Sequence, residues 1–204
     1  IELFHNFTLL HDDIMDQAPL RRGKETVYKK WNPNVAILAG DTMFALANKY
    51  MLRTRQQAIS QVMELFNQTA IEVCEGQQYD MDYEHQANVS IADYIEMIRL
   101  KTAVLLAASL KTGAIIAGAE ASDCDYIYQF GIHIGLAFQL KDDLLDVYGV
   151  QEKFGKVSGG DIIAGKKTYL YLKALEMAGS EADAFRRLYS AHDIDSNEKI
   201  ARVK

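Results

Sequence analysis

Three aspartates fall within five positions of HDDIMDQAPLRRGK, His11 to Lys24, and two adjacent arginines, Arg21 and Arg22, follow after a short gap. The spacing returns in FQLKDDLLDVYG, Phe138 to Gly149, as Asp142, Asp143 and Asp146. On a helix, residues four apart share a face about 6 Å apart along the axis, so Asp12 with Asp16, and Asp142 with Asp146, form carboxylate stacks. Asp13 and Asp143 lie about 100° around and could hold a neighbouring cation or basic side chain. Both motifs close or nearly close a helix, where the C-terminal dipole disfavours added negative charge, so something positive must offset it. A single such motif is more often a solvated acidic helix end. Two of them in otherwise apolar helices point instead to a shared mouth of a bundle interior, where the carboxylates repel unless metal ions intervene.

A hard, oxygen-loving ion suits these groups. Magnesium takes one or two carboxylates from a protein, keeps several waters and completes its shell with phosphate oxygens. Calcium fits less well without an EF-hand loop, and zinc less still, because His5, His11, His85, His133 and His192 form no ligand pair at useful spacing. A diphosphate would need cations as well, for which Arg21, Arg22, Lys101, Lys141, Lys156, Lys166 and Lys167 are candidates.

The elements that must position these groups read as helices. Apolar residues recur at helical spacing in VAILAGDTMFALANKYML, Val35 to Leu52, and YIEMIRLKTAVLLAASL, Tyr94 to Leu110. Helices are expected near residues 1–16, 35–54, 56–85, 91–118, 123–148, 168–178 and 181–191, with a last one starting near Asn197; Ser90 before Asp93, and Ser196 before Lys199, mark helix starts. The fold class is therefore all-α, a single-domain helical bundle. Pro19 and Pro33 are the two prolines, and the polar stretch holding them reads as a loop. The segment 148–167, with five glycines and four lysines, reads as a mobile loop that could cap an anionic ligand, although it lacks P-loop spacing.

Over 204 residues, 49% hydrophobic and 25% charged, the chain can bury a sizeable core. Its net charge of −6 argues against nucleic acid as a partner. No uninterrupted apolar run reaches the roughly 18 to 20 residues of a transmembrane segment, and no leader pattern is visible, so a cytoplasmic location is the default expectation. Cys74 and Cys124 read as free, mostly buried thiols.

At this point the residues resemble the trans-isoprenyl diphosphate synthases, the polyprenyl synthase family of farnesyl and geranylgeranyl diphosphate synthases, over essentially the whole chain. DDIMDQAPLRRG is similar to that family's first aspartate-rich motif with its paired arginines, GQQYD (Gly76 to Asp80) to its GQxxD element, RLKTAVL to its Lys-Thr pair, and FQLKDDLLD and GKVSGGDIIAGKKT to its second motif and trailing loop. The resemblance implies an isoprenoid-synthase bundle with a central cavity. It implies metal ligands at Asp12, Asp16, Asp142 and Asp146, with Asp13, Asp80, Asp143 and Asp161 supporting them or the loop. Arg21 would contact the allylic diphosphate, Arg22 and His5 the isopentenyl diphosphate, and Lys156 and Lys166 the diphosphates. Lys101, Thr102 and Gln139 would flank the reacting carbons. It further implies three magnesium ions bound with diphosphate, manganese as a substitute, and a homodimer. The family's N-terminal Gly-Lys-x-x-Arg element has no match here, so residues 1–204 are expected to be a polyprenyl synthase domain lacking its N-terminal helices and its C-terminal end.

The implied reaction is head-to-tail condensation: the allylic carbon–oxygen bond breaks, and the carbocation attacks the double bond of isopentenyl diphosphate. The expelled diphosphate serves as the final base. Phe7, five residues before Asp12, is expected more than one turn beneath the metals on nearly the diphosphate-facing side, where its ring would stop chain growth beside the smaller Thr8; packing in the core is an equal reading on pattern alone. An aromatic at that position resembles the short-chain enzymes, geranylgeranyl slightly ahead of farnesyl. The alternatives are a class I terpene cyclase, disfavoured by DDLLD in second place, and a non-catalytic isoprenoid-binding subunit of the same fold.

Overall fold

In a computed structural model of the chain, which describes residues 1–149, 159–191 and 193–204, the protein is all-α apart from one two-residue hairpin. Contacts divide it into two compact units, each discontinuous in sequence: Ile1–Val73 with Val104–Ile132, and Cys74–Ala103 with His133–Lys204.

The first unit begins with α1 (Glu2–Met15), which ends in the first aspartate motif, with Asp16 as its C-cap. The stretch expected to be a loop is instead a hairpin, β1 (Leu20–Arg21) and β2 (Lys24–Glu25), in which Arg21 pairs with Lys24. Its two-residue turn, Arg22-Gly23, has φ of 52° and 74°, the left-handed conformation at both positions that a type I′ turn requires and that glycine adopts without strain. The buried Thr26 hydroxyl donates to the Ala18 carbonyl at 2.8 Å and closes the hairpin's neck. After the single turn α2 (Val27–Lys30) comes α3 (Pro33–Met51), whose Asn32 cap accepts a hydrogen bond from Val35 N–H and whose Pro33 occupies the first turn. α3 packs on α1 at Gly40, where a Cβ would lie 2.6 Å from His11 Cδ2 and nearer still to Nε2. Phe4, Phe7, Phe44 and Phe66 form an aromatic cluster beside this contact, with Phe4 and Phe66 fully buried.

α4 (Ile59–His85) leads into the second unit. There α5 (Ile91–Ile98) starts from a reciprocal capping box between Ser90 and Asp93, as expected. It runs into a π turn, Arg99–Ala103, before α6 (Val104–Ala117). Gly76 of α4 lies against that turn, since a Cβ on it would stand 2.7 Å from the Leu100 carbonyl carbon. Taken end to end, Ile91–Ala117 is long and apolar enough to cross a bilayer by length and composition alone. α7 (Ala121–Tyr148) carries the second motif near its end. Part of the segment read as a mobile loop is a short helix, α8 (Gly160–Ala164); residues 150–158, and with them Lys156, lie outside the described residues, as does His192. α9 (Tyr169–Met177), α10 (Ala182–Tyr189) and α11 (Ser196–Val203) follow, and Tyr94, Met97, Ile98, Tyr171, Leu172 and Tyr189 contribute to this unit's core. Two readings need correction. Asp195 caps α11 through Asn197 and Glu198 N–H while Ser196 is its first residue, and Cys74 is exposed; Cys124 is buried, and both thiols are free.

Gly135 of α7 meets Ala103 so closely that a Cβ would lie 2.6 Å from the Ala103 Cα, whereas Gly113 of α6 has nothing within 4 Å. Gly135→Ala should therefore lower the urea midpoint, an overpacking cost of about 1–3 kcal/mol outweighing a helix-propensity gain of at most about 1 kcal/mol. Gly113→Ala, which keeps only the gain, should raise it. Equal shifts of the same sign in the two variants would refute the close packing at Gly135.

Candidate active site

The first motif differs in burial from one carboxylate to the next. Asp13 is 5% exposed, Asp12 is half-buried and Asp16 is exposed. The hairpin turns Arg21 back over α1, so that its Nε donates to Asp13 Oδ1 at 2.7 Å and a terminal nitrogen to Asp12 Oδ2 at 3.1 Å. One guanidinium thus bridges two carboxylates at a helix C-terminus that has no basic residue in its own last turn. Burial raises the Asp13 carboxyl above its ordinary range, and Arg21 opposes that shift. Arg22 stands exposed at the hairpin tip.

His5, two turns before Asp12, is half-exposed, with Nδ1 4.0 Å from Glu2 Oε2. Thr8 donates its hydroxyl to the His5 carbonyl at 2.8 Å. Phe7 does not sit on the side of the carboxylate stack. Five residues turn a helix about 140° past a full revolution, and the ring stacks on Phe44 of α3 at 5.2 Å and meets His11 edge-on at 4.7 Å. It reaches the α1–α3 contact rather than the space directly beneath Asp12.

In the second unit, Lys101 of the π turn donates to Asp80 of α4 at 2.5 Å. The neighbouring Thr102 donates to Gln139 Oε1 at 3.1 Å, and Gln139 Nε2 donates to Asp143 Oδ1 at 3.0 Å. The second oxygen of Asp143 accepts from the Tyr94 hydroxyl. Asp143 is 4% exposed, and burial raises its carboxyl while Tyr94 and Gln139 oppose the shift. Among the described residues, the side-chain donors to Asp143 are therefore neutral. Asp142 and Asp146 remain half-buried.

Gly159 N–H donates to the Asp146 carbonyl at 2.7 Å and Asp161 N–H to Asp146 Oδ2 at 3.0 Å, so α8 starts on the second motif. A Cβ on Gly160 would stand 3.2 Å from the other Asp146 oxygen. Burial, with the charge of Asp146 next, pushes the Asp161 carboxyl up to about 7. The Tyr189 hydroxyl donates to the Lys166 carbonyl at 2.6 Å and anchors the chain after α8. Lys167, a candidate for phosphate, instead donates to the Tyr83 and Glu84 carbonyls at 2.5 and 3.0 Å and closes the C-terminus of α4. Lys141 is exposed.

Sequence reasoning missed Tyr94 and Tyr189. Their sole signal was a hydroxyl on an apolar helix face, which requires a partner once buried. Among the described residues no three His, Cys, Asp or Glu side chains converge to hold an ion. The donor set is one or two carboxylates per motif, oxygen throughout, which fits magnesium arriving with phosphate oxygens and does not fit zinc.

These motifs and this all-α fold have close counterparts among known proteins. The polyprenyl synthetase family matches residues 1–204, and the chain belongs to that family. It is 41% identical over 187 residues to a geranylgeranyl diphosphate synthase of Methanosarcina mazei, covering 91% of this chain and 57% of that one. It is 42% identical over 177 residues to a geranylfarnesyl diphosphate synthase of Natronomonas pharaonis, covering 85% and 52%. A crystal structure of a geranylgeranyl pyrophosphate synthase superposes with a TM-score of 0.95 at 49% identity, covering 99% of this chain and 63% of the other. The chain thus spans a little over half the length of the curated relatives it matches.

The Lys101–Asp80 pair is only partly exposed, at 25% and 18% of the two side chains. Lys101→Met should destabilise the protein by on the order of 1–3 kcal/mol, the upper range for buried pairs being discounted for solvent screening. Adding Asp80→Leu should recover most of the loss, as read from chemical denaturation. A single variant as stable as wild type would mean that the pair does not hold α4 to the π turn.

Proposed function

We propose that the protein carrying this chain is a magnesium-dependent trans-prenyltransferase. It would condense isopentenyl diphosphate with an allylic diphosphate to make a short all-trans prenyl diphosphate, geranylgeranyl ahead of farnesyl. The observation that carries the reading is a division of labour repeated in both motifs. The middle aspartate is buried, Asp13 on Arg21 and Asp143 on Tyr94 and Gln139, while the flanking residues are more open: Asp16 is exposed, and Asp12, Asp142 and Asp146 are half-buried, Asp12 also accepting from Arg21 and Asp146 from the Asp161 N–H. Carboxylates so presented suit an ion that is shared with substrate.

Bound magnesium, in three ions by family resemblance and replaceable by manganese, would supply Lewis acidity to the departing diphosphate. Arg21 and Lys101, which face carboxylates here, would add fixed positive charge, with Lys166 and Lys156 in the same role. Arg22 and His5 would take the isopentenyl diphosphate. Because Thr102 gives its proton to Gln139, it presents oxygen lone pairs outward, a dipole suited to a carbocation and unable to protonate it. Homodimeric assembly and a cytoplasmic location belong to the same proposal on the family match.

Three outcomes are expected of the full-length protein. Magnesium with inorganic diphosphate should raise the melting temperature, and magnesium alone should not, since no described cluster forms a protein-only cage. With isopentenyl diphosphate and an allylic primer, Asp12→Asn or Asp142→Asn should lower turnover by on the order of 100-fold or more; near-normal turnover of both would refute the metal assignment. Phe7 packs on Phe44 of α3, so Phe7→Ala should open the α1–α3 contact to a growing chain and shift products toward longer ones while leaving the first condensation nearly unchanged. An unaltered product distribution would place the stopper elsewhere.

A further inference from the structure

Four polar side chains in the second unit form one directed chain. Tyr94 on α5 donates to Asp143, Gln139 donates to the other oxygen of Asp143, and Thr102 in the π turn donates to Gln139. The direction follows from the donor inventory. A carboxylate only accepts, so Asp143 draws the NH2 end of the Gln139 amide. The amide oxygen is thereby turned to Thr102, whose proton goes to it. Reversing the amide would set an NH2 against the Thr102 hydroxyl and its oxygen against a carboxylate. Asp143 thus sets the polarity of both groups.

That arrangement needs Asp143 to remain an acceptor while 4% exposed, and the phenol of Tyr94, 3% exposed, is what holds its second oxygen. Tyr94 stands seven residues before Lys101, on the buried side of α5 together with Met97 and Ile98. Its hydroxyl is the group that distinguishes it from the apolar residues of that face.

We infer that Tyr94 is a positioning residue for the prenyl transfer: by holding Asp143 it orients the Gln139 amide, and through it Thr102, so that oxygen rather than a proton faces the developing carbocation. This rests on the proposed function for the role of Thr102 and Gln139. The orientation of the amide stands independently of it.

The test is a double-mutant cycle in the full-length protein, measured with isopentenyl diphosphate, allylic primer and magnesium. Tyr94→Phe should lower kcat about 10-fold with the allylic KM changed less than about threefold, and Gln139→Leu should lower kcat at least as much. The double variant should be no slower than Gln139→Leu alone, because the two act through one amide. Losses that multiply, or an unchanged kcat in Tyr94→Phe, would overturn the inference and leave Tyr94 a packing residue. A second readout does not depend on activity. A fluorotyrosine placed at position 94 keeps the shape of the ring while strengthening its donation, and should shift the side-chain amide signals of Gln139 in 15N-labelled protein. Unmoved amide signals would overturn the inference even where Tyr94→Phe fails to fold. If the wild-type protein transfers no prenyl group, the proposed function fails, and the amide signals alone decide the orienting role of Tyr94.

Discussion

Crowded negative charge at the ends of two helices is the constraint on which the surroundings of each aspartate motif depend. Three carboxylates in five positions repel one another, and the helix dipole at a C-terminus adds to the cost. The protein answers twice by burying the middle carboxylate and giving it donors, but the donors differ. Asp13 receives a guanidinium carried back by a hairpin, a full charge against two carboxylates. Asp143 receives a phenol and an amide, with no formal charge, while backbone N–H groups dock on Asp146. The first end is offset by one full positive charge, and the second is solvated by fixed dipoles.

Several of the polar side chains of the two units are placed where the backbone comes unusually close or turns unusually tightly. Gly23 allows the two-residue turn that aims Arg21, and Gly40 leaves room for His11 between α1 and α3. Gly76 lets α4 lie on the π turn that carries Lys101 and Thr102. A π turn widens the helix locally and re-aims consecutive side chains, a device common at functional sites. Here it sends Lys101 to Asp80 and Thr102 to Gln139, two partners on two different helices. The small residues and the charged ones are therefore parts of a single arrangement, in which the absence of a Cβ is what permits the polar contact.

Intrahelical spacing is a local property, so the sequence by itself determined a good deal. It determined the all-α class, the positions of the long helices, the capping box at Ser90, the two aspartate stacks and the family. Each depends on residues within a turn or two of one another, where 3.6-residue geometry leaves little freedom. What it left open were questions about partners distant in sequence. Only the tertiary structure decided that Asp13 and Asp143 turn inward, that Arg21 closes on the first motif and that Tyr94 holds the second. It also sent Lys167 to the carbonyls that end α4 and the Phe7 ring against α3. A lysine near glycines, or a ring five residues before an aspartate, carries no mark of the surface it will meet. That surface is made by chain tens of residues away, and it is chosen by the packing of whole helices rather than by the neighbours of the residue itself.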